Sequence, residues 1–175
     1  MGDVPDQPVL RAIPGPHGTL AVEAEHLVLG TYYLYAESAE ELITTNNVTN
    51  TERLFGFPNK TPYVKDAFHR AIVDGETSAT NPEQTGTKAA AIYRLVIPPG
   101  DHATIRLRLS AVSHTAPFAD FEAITVQRRN EADEFYQMLQ PANLSTDEKR
   151  VQRQAFAGML WSKQLYYYDV EQWLN

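Results

Sequence analysis

The sequence predicts an α+β fold, a partial antiparallel β-sandwich followed by two long α-helices. Before about residue 115, segments rich in β-branched and aromatic residues alternate with turn-forming Pro, Gly and Asp. After that point apolar residues recur every three or four positions, which is the helical period. Hydrophobic residues make up 43% and charged residues 21% of the 175 positions, as in ordinary globular proteins. We therefore divide the chain into a β part, residues 1–115, and a helical part, residues 116–175.

Four segments justify the β part. Val9–Ile13 precedes a cluster of Pro and Gly, and Thr31–Tyr35 is rich in aromatic and branched residues. Ala91–Ile97 and Ala103–Ser110 flank a Pro-Pro-Gly-Asp turn, which predicts that these two strands pair. In the last segment Ile105, Leu107 and Leu109 alternate with polar residues, including two arginines, so the apolar side chains share one face. A two-stranded ribbon is marginally stable alone, so further strands are expected beside it.

A long polar stretch, about 44–88, separates the early strands from the later ones. It is rich in Asn, Thr, Pro and Gly and shows little regular patterning. Loops of this length inside a compact domain are usually functional or dock on another surface.

Two helices are predicted in the second part of the chain. The first carries an apolar stripe from Phe121 to Leu139 and ends before Pro141. Ser145 and Glu148 have the spacing of a capping box, which predicts the start of the second helix. That helix is apolar on several sides around 155–161, so we expect it to be buried by surfaces that this sequence does not supply.

Composition excludes several classes of function. The net charge of -7 without a basic run argues against nucleic-acid binding. The chain has no cysteine, and its five histidines are scattered, so we expect neither a metal site nor a thiolate nucleophile. No phosphate-binding glycine loop occurs, and we predict no cofactor. No apolar stretch approaches the roughly 18 residues of a membrane span, and no signal peptide is visible, so we expect a cytoplasmic protein without membrane contact.

Two segments combine aromatic, amide and charged side chains, a mixture that suits a polyhydroxylated ligand. They are Asn50–Asp66 and Trp161–Asp169. The predicted sugar contacts are Asn59, Tyr63, Lys65, Asp66, Trp161 and Lys163. Two alternatives stay open: the first segment docks on a neighbouring domain, and the second is the packed end of a core helix. Glu23 and Glu25 share one face of a strand, which we interpret as a solvated face and not as a catalytic pair.

Four short sequence segments, in the order in which they occur, resemble segments of a known family. They are Asn-Thr-Glu-Arg-Leu-Phe-Gly (50–56), Thr-Pro-Tyr-Val-Lys-Asp (61–66), Gly-Thr-Lys-Ala-Ala-Ala (86–91) and Ala-Gly-Met-Leu-Trp-Ser-Lys-Gln (157–164). They resemble the bacterial glucosidase-like branch of glycoside hydrolase family 63, related to processing α-glucosidases and mannosylglycerate hydrolases. The resemblance runs from about Pro8 to Leu174.

The resemblance implies a part of a longer enzyme. Such enzymes join an N-terminal β-sandwich through a helical linker to an (α/α)6 barrel, which carries the catalytic acid and base. By this resemblance the chain holds later strands of the sandwich, the linker helix (about 118–139) and the first barrel helix (about 145–174), and it holds no catalytic residue. Its expected role is non-catalytic, supplying sandwich, linker and pocket rim, with an α-glucoside and the missing barrel as partners. The alternative is an autonomous carbohydrate-binding module, or a scaffold that self-associates through residues 145–175.

Overall fold

Three consecutive strands form the centre of the fold. In the computed structural model, which describes residues 7–162 and 170–174, β1 (Val9–Pro14), β2 (Leu20–His26) and β3 (Gly30–Ala36) pair antiparallel. β5 (Thr85–Gly86) joins the outer edge of β1, and β7 (Leu107–Ser110) joins β3. The sheet therefore has the order β5-β1-β2-β3-β7. The predicted strands Val9–Ile13 and Thr31–Tyr35 are confirmed.

A second, two-stranded sheet accompanies the first. β4 (Glu41–Thr45) pairs antiparallel with β6 (Lys88–Ile92), so that Glu41 lies opposite Ile92 and Thr45 opposite Lys88. Sheets of strands followed by helices confirm the predicted α+β class. Among the described helices, none combines the length and the apolar character needed to cross a bilayer.

The predicted pairing of 91–97 with 103–110 is wrong. The first of these strands ends at Ile92 and pairs with β4, while β7 begins only at Leu107 and pairs with β3. The backbone of Glu37 and Glu40 provides the reason, since Glu37 N–H donates to the Arg106 carbonyl at 3.1 Å and Glu40 N–H to the Ile92 carbonyl at 2.9 Å. The turn between β3 and β4 thereby draws the two segments to different sheets.

The core lies around β2, β3 and β4, and most of its side chains are small or β-branched. Tyr35 is the largest of the fully buried residues; its hydroxyl accepts the backbone N–H of His114 at 2.8 Å. The buried apolar residues are Ala21, Val22, Tyr35, Ala36, Leu42, Ile43, Val64, Ala67 and Ala79.

The polar stretch 44–88 has more structure than its sequence predicts. Thr44 and Thr45 end β4 and are fully buried. The stretch then contains α1 (Thr51–Phe55), α2 (Ala67–Ile72) and a 3-10 turn at Thr77–Ala79 before β5. These helices are too short for a repeated apolar pattern, so periodicity could not reveal them.

The helical part follows as α3 (Phe121–Leu139), α4 (Thr146–Trp161) and α5 (Val170–Leu174). The capping box is confirmed, since Ser145 N–H donates to Glu148 Oε2 at 2.8 Å and Glu148 N–H donates to Ser145 Oγ at 3.3 Å. Of the predicted helix 145–174, α4 covers Thr146–Trp161 and α5 covers Val170–Leu174, while residues 163–169 lie outside the described part of the chain. The chain divides into two compact units, one up to Phe121 and one from Glu122.

Candidate functional site

The segment Asn50–Asp66, which we call the amide loop, follows β4. Its first residue, Asn50, caps α1, because its side-chain oxygen accepts the Arg53 N–H at 3.0 Å. Gly56 ends this helix with a φ of 72°, a left-handed conformation that glycine adopts without a steric penalty. Both ends of α1 are therefore specified by the local sequence.

Asn59 closes the amide loop from its middle. Its side-chain oxygen accepts the backbone N–H of Thr51 at 2.8 Å and the Thr51 hydroxyl at 3.0 Å. Its side-chain nitrogen donates to Asn50 Oδ1 at 2.9 Å. The amide thus joins the turn after α1 to the start of that helix, which fixes the conformation of the loop.

Asp66 ties the end of the amide loop to its beginning. Its carboxylate accepts hydrogen bonds from Asn50 Nδ2 at 3.1 Å and from Arg53 Nη1 at 3.3 Å. Burial raises the pKa of this carboxyl, but the bonds from Asn50 and Arg53 and the charge of Arg70 outweigh burial and lower the pKa below its usual value. Asp66 is therefore ionised at neutral pH.

Two further hydrogen bonds hold the loop, one from β4 and one to Val48, which follows that strand. The hydroxyl of Thr45 donates to the Val64 carbonyl at 2.9 Å, and the Lys65 N–H donates to the Val48 carbonyl at 2.9 Å. Val64 itself is buried. Because the core strand fixes the loop at this point, the side chains around it are held in place before any ligand arrives.

Two cavities adjoin the amide loop. The first has a volume of about 520 Å³ and polar walls, made by Asn50, Glu52, Arg53, Asn59, Thr61, Pro62 and Arg70. The second, of about 450 Å³, is lined by Val48, Thr49, Thr51, Phe57, Pro58, Asn59, Lys60, Thr61 and Val64. Asn59 and Thr61 line both, so a polar and a more apolar cavity are neighbours on one loop.

The predicted sugar-contact residues differ in their hydrogen bonding and in their exposure to solvent. Asn59 and Asp66 are brought together through Asn50, but their polar atoms are engaged in closing the loop. Tyr63 is half-buried, and Lys65 is exposed. Trp161, at the end of α4, is 91% exposed. Lys163 lies outside the described residues.

Two exposed residues that line the polar cavity, Glu52 and Arg53, were not predicted as contacts from the sequence. They belong to the segment Asn-Thr-Glu-Arg, but nothing in that segment distinguishes them from other surface charges. The three-residue spacing between Asn50 and Arg53, typical of a helix cap, could have located α1. Arg70 lies seven positions beyond Tyr63 and is held by two hydrogen bonds to Glu76, so only the fold brings it to the cavity.

Other chemistry finds little support in the described residues. Glu23 forms an ion pair with Arg11 at 3.3 Å, and Glu25 is exposed, which agrees with a solvated strand face. Within residues 7–162 and 170–174, no group of three or more His, Asp or Glu side chains could hold a metal ion.

Comparison with known proteins gives one informative match. No known family profile matches the chain, and no solved structure matches it. The uncharacterized protein YMR196W of Saccharomyces cerevisiae is 38% identical over 146 residues, which cover 77% of this chain and 13% of the yeast protein. The chain therefore matches a small part of a much longer relative.

Proposed function

We propose that this chain is a non-catalytic part of a glycoside hydrolase family 63-like α-glucosidase, supplying sandwich, linker and part of the pocket rim. The enzyme class comes from the four sequence segments that resemble the family, and the observation that supports a role as part of a larger protein is the end of α4. Met159, Leu160 and Trp161 are 71%, 63% and 91% exposed. Three consecutive large apolar side chains in water are costly, because each buried apolar side chain is worth about 1.5–3 kcal/mol. A surface in the longer protein would remove that cost.

The β part has an exposed apolar surface as well. Leu107 and Leu109 project from the edge strand β7 and are 49% and 66% exposed, whereas Arg108 between them is largely covered and pairs with Asp120. The alternation predicted for this strand is confirmed, but its apolar face is the exposed one. Further strands or a neighbouring domain in a longer enzyme would cover this face.

Five carboxyl groups are unsuited to general-acid catalysis. An inverting glycosidase needs a general acid whose pKa is raised, so that it holds a proton at neutral pH. In the described residues, every carboxyl group with a clear pKa shift is shifted downward by its partners, as Arg94 lowers the pKa of Glu40 and Arg70 that of Glu76. The others in this group are Asp66, Asp120 and Glu148. None of these carboxyls suits the general acid.

The same exposed end of α4 favours a second candidate, a scaffold that associates with itself. This alternative predicts that the chain forms dimers or larger species in solution and that Met159→Glu dissociates them. Sedimentation velocity over a range of concentrations distinguishes the two. A monomer at all concentrations, for the chain and for the Met159→Glu variant alike, favours the glucosidase part.

The direct test of the proposed function uses the longer yeast relative. Purified YMR196W is incubated with α-linked glucose disaccharides, and released glucose is followed by proton NMR. We expect hydrolysis with the β-anomer appearing first, since an inverting enzyme reverses an α-linkage. This chain alone, under the same conditions, should release no glucose. Absence of hydrolysis by the relative, or turnover by this chain alone, would overturn the proposal.

A further inference from the structure

We infer that the polar cavity beside α1 binds a neutral, polyhydroxylated ligand, with Glu52 and Arg53 as its contact residues. The inference rests on the proposed function for the class of ligand, and it adds the place and the residues. It differs from the sequence prediction, which placed the contacts at Asn59, Tyr63, Lys65, Asp66, Trp161 and Lys163.

Hydrogen bonding separates supporting residues from contact residues. Asn59 and Asp66 use their side chains to close the amide loop, with bonds of 2.8–3.3 Å to Thr51, Asn50 and Arg53. Both side chains are also half-buried, which leaves less of their surface accessible to a ligand. Arg53, by contrast, has a side chain that is 64% exposed and holds Asp66 through one nitrogen, Nη1. A guanidinium carries five N–H donors, so Arg53 keeps donors for a ligand hydroxyl.

The charge balance of the cavity favours a neutral ligand over an anion. Arg53 is matched by Asp66 at 3.3 Å, and Arg70 is matched by Glu76 through two hydrogen bonds. Glu52 lines the same cavity and adds a negative charge. An anion would meet no surplus of positive charge there. Sugar hydroxyls donate and accept, so they can bond carboxylates and guanidinium groups alike.

The second cavity adds an apolar surface of the kind that sugar rings use. Phe57 is 68% exposed and lines it together with Pro58. Because Asn59 and Thr61 line both cavities, one ligand could reach the polar groups and the phenyl ring together. Ligand sites commonly combine an apolar wall with a few polar groups that set orientation. A disaccharide with one hydroxyl-rich edge and one C–H face matches this pair of cavities.

The test is a titration of the isotope-labelled chain with maltose, nigerose and kojibiose, which differ in linkage, and separately with inorganic phosphate. We expect saturable amide shifts confined to residues 50–70 with a disaccharide and none with phosphate. Arg53→Gln should weaken sugar binding by about tenfold, since it removes a charge-assisted hydrogen bond. Phe57→Ala should weaken it as well, and its exposed position makes a loss of fold unexpected.

The chain offers a matched control for Arg53. Arg94 is 66% exposed and pairs with Glu40 at 2.8 Å, so it has the same charge, exposure and kind of partner, but it does not line the cavity. Arg94→Gln should change binding by less than about twofold. Equal losses in the two variants, binding of phosphate instead of sugar, shifts elsewhere, or no saturable shift with any disaccharide would each overturn the inference. Hydrolysis by the yeast relative tests the proposed function, and the titration tests the binding site, so one proposal can be overturned while the other is supported.

Discussion

The β part and the helical part of this chain are stabilised in different ways. The β part contains a buried core centred on β2, β3 and β4, including Tyr35 at 2% and Val64 at 1% exposure. In α3 and α4, by contrast, no side chain is buried. A capping box at Ser145 specifies the start of α4, and an ion pair between Arg153 and Asp133 links α4 to α3.

This difference indicates that the β part is stabilised by its own core, whereas the helices lack one. Helical stability in proteins comes mostly from packing an apolar face, and capping adds only about 1 kcal/mol. A helix whose apolar residues remain in water, as Leu160 does, is therefore expected to be marginal in the isolated chain. The β part should unfold cooperatively, and the helices should open locally.

The largest effect is expected from the core of the β part. Tyr35→Ala removes a fully buried ring and its hydrogen bond to His114, and we expect it to lower the free energy of unfolding by about 3–5 kcal/mol. Urea unfolding followed by circular dichroism measures this loss. Tyr32→Ala is the matched control, because Tyr32 lies on the same strand but is 36% exposed. Equal losses from both variants would contradict the assignment of Tyr35, and not of Tyr32, to the core.

A smaller effect is expected in the amide loop. Asp66→Asn replaces a charged acceptor of two hydrogen bonds, and we expect a loss of about 1–3 kcal/mol at neutral pH. The pKa of Asp66 is lowered in the folded chain, so its stabilising effect is present above its ordinary value of 3.8 and is lost as the pH falls through the folded value.

The difference between wild type and Asp66→Asn should therefore shrink on acidification below about pH 4. Urea unfolding of both proteins between neutral and acidic pH measures this difference. A difference that stays constant over that range would contradict the assigned role of the Asp66 carboxylate.

The smallest effect is expected at the start of α4. Ser145→Ala removes the side-chain acceptor for the Glu148 N–H, which costs about 0.5–2 kcal/mol of helix stability. Because α4 is not buried, this loss should appear as reduced helix content and leave the urea midpoint of the β part unchanged. Far-UV circular dichroism and near-UV circular dichroism of the same samples report the two separately. A shift of both signals together would show that the units unfold as one.

The sequence predicted long-range features poorly and local ones well. The capping box at Ser145 and the strand at Thr31–Tyr35 depend on neighbouring residues, and both are confirmed. The pairing of β7 with β3 depends on residues about 75 positions apart and could not be found from turn residues alone. The polar cavity was likewise hidden, because Arg70 reaches it from α2 while Arg53 comes from α1.

The residue types of the amide loop indicated a polar, hydrogen-bonded region, but they did not predict what each side chain does. Asn59 and Asp66 are polar residues in a loop, which predicts contact with a ligand as readily as it predicts hydrogen bonds within the loop. Only the distances to Asn50, Thr51 and Arg53 show that these side chains hold the loop itself. Glu52 and Arg53, by contrast, are exposed residues that line the polar cavity.

Amide hydrogen exchange of the isolated chain tests most directly whether the helices need contact with another surface to be stable. If they do, amides of β2 and β3 should exchange only through global unfolding, while amides of α4 should exchange through local opening at least about a hundredfold faster. Protection of α4 equal to that of β2 and β3 would contradict the account, since it would show that this chain alone stabilises the helix.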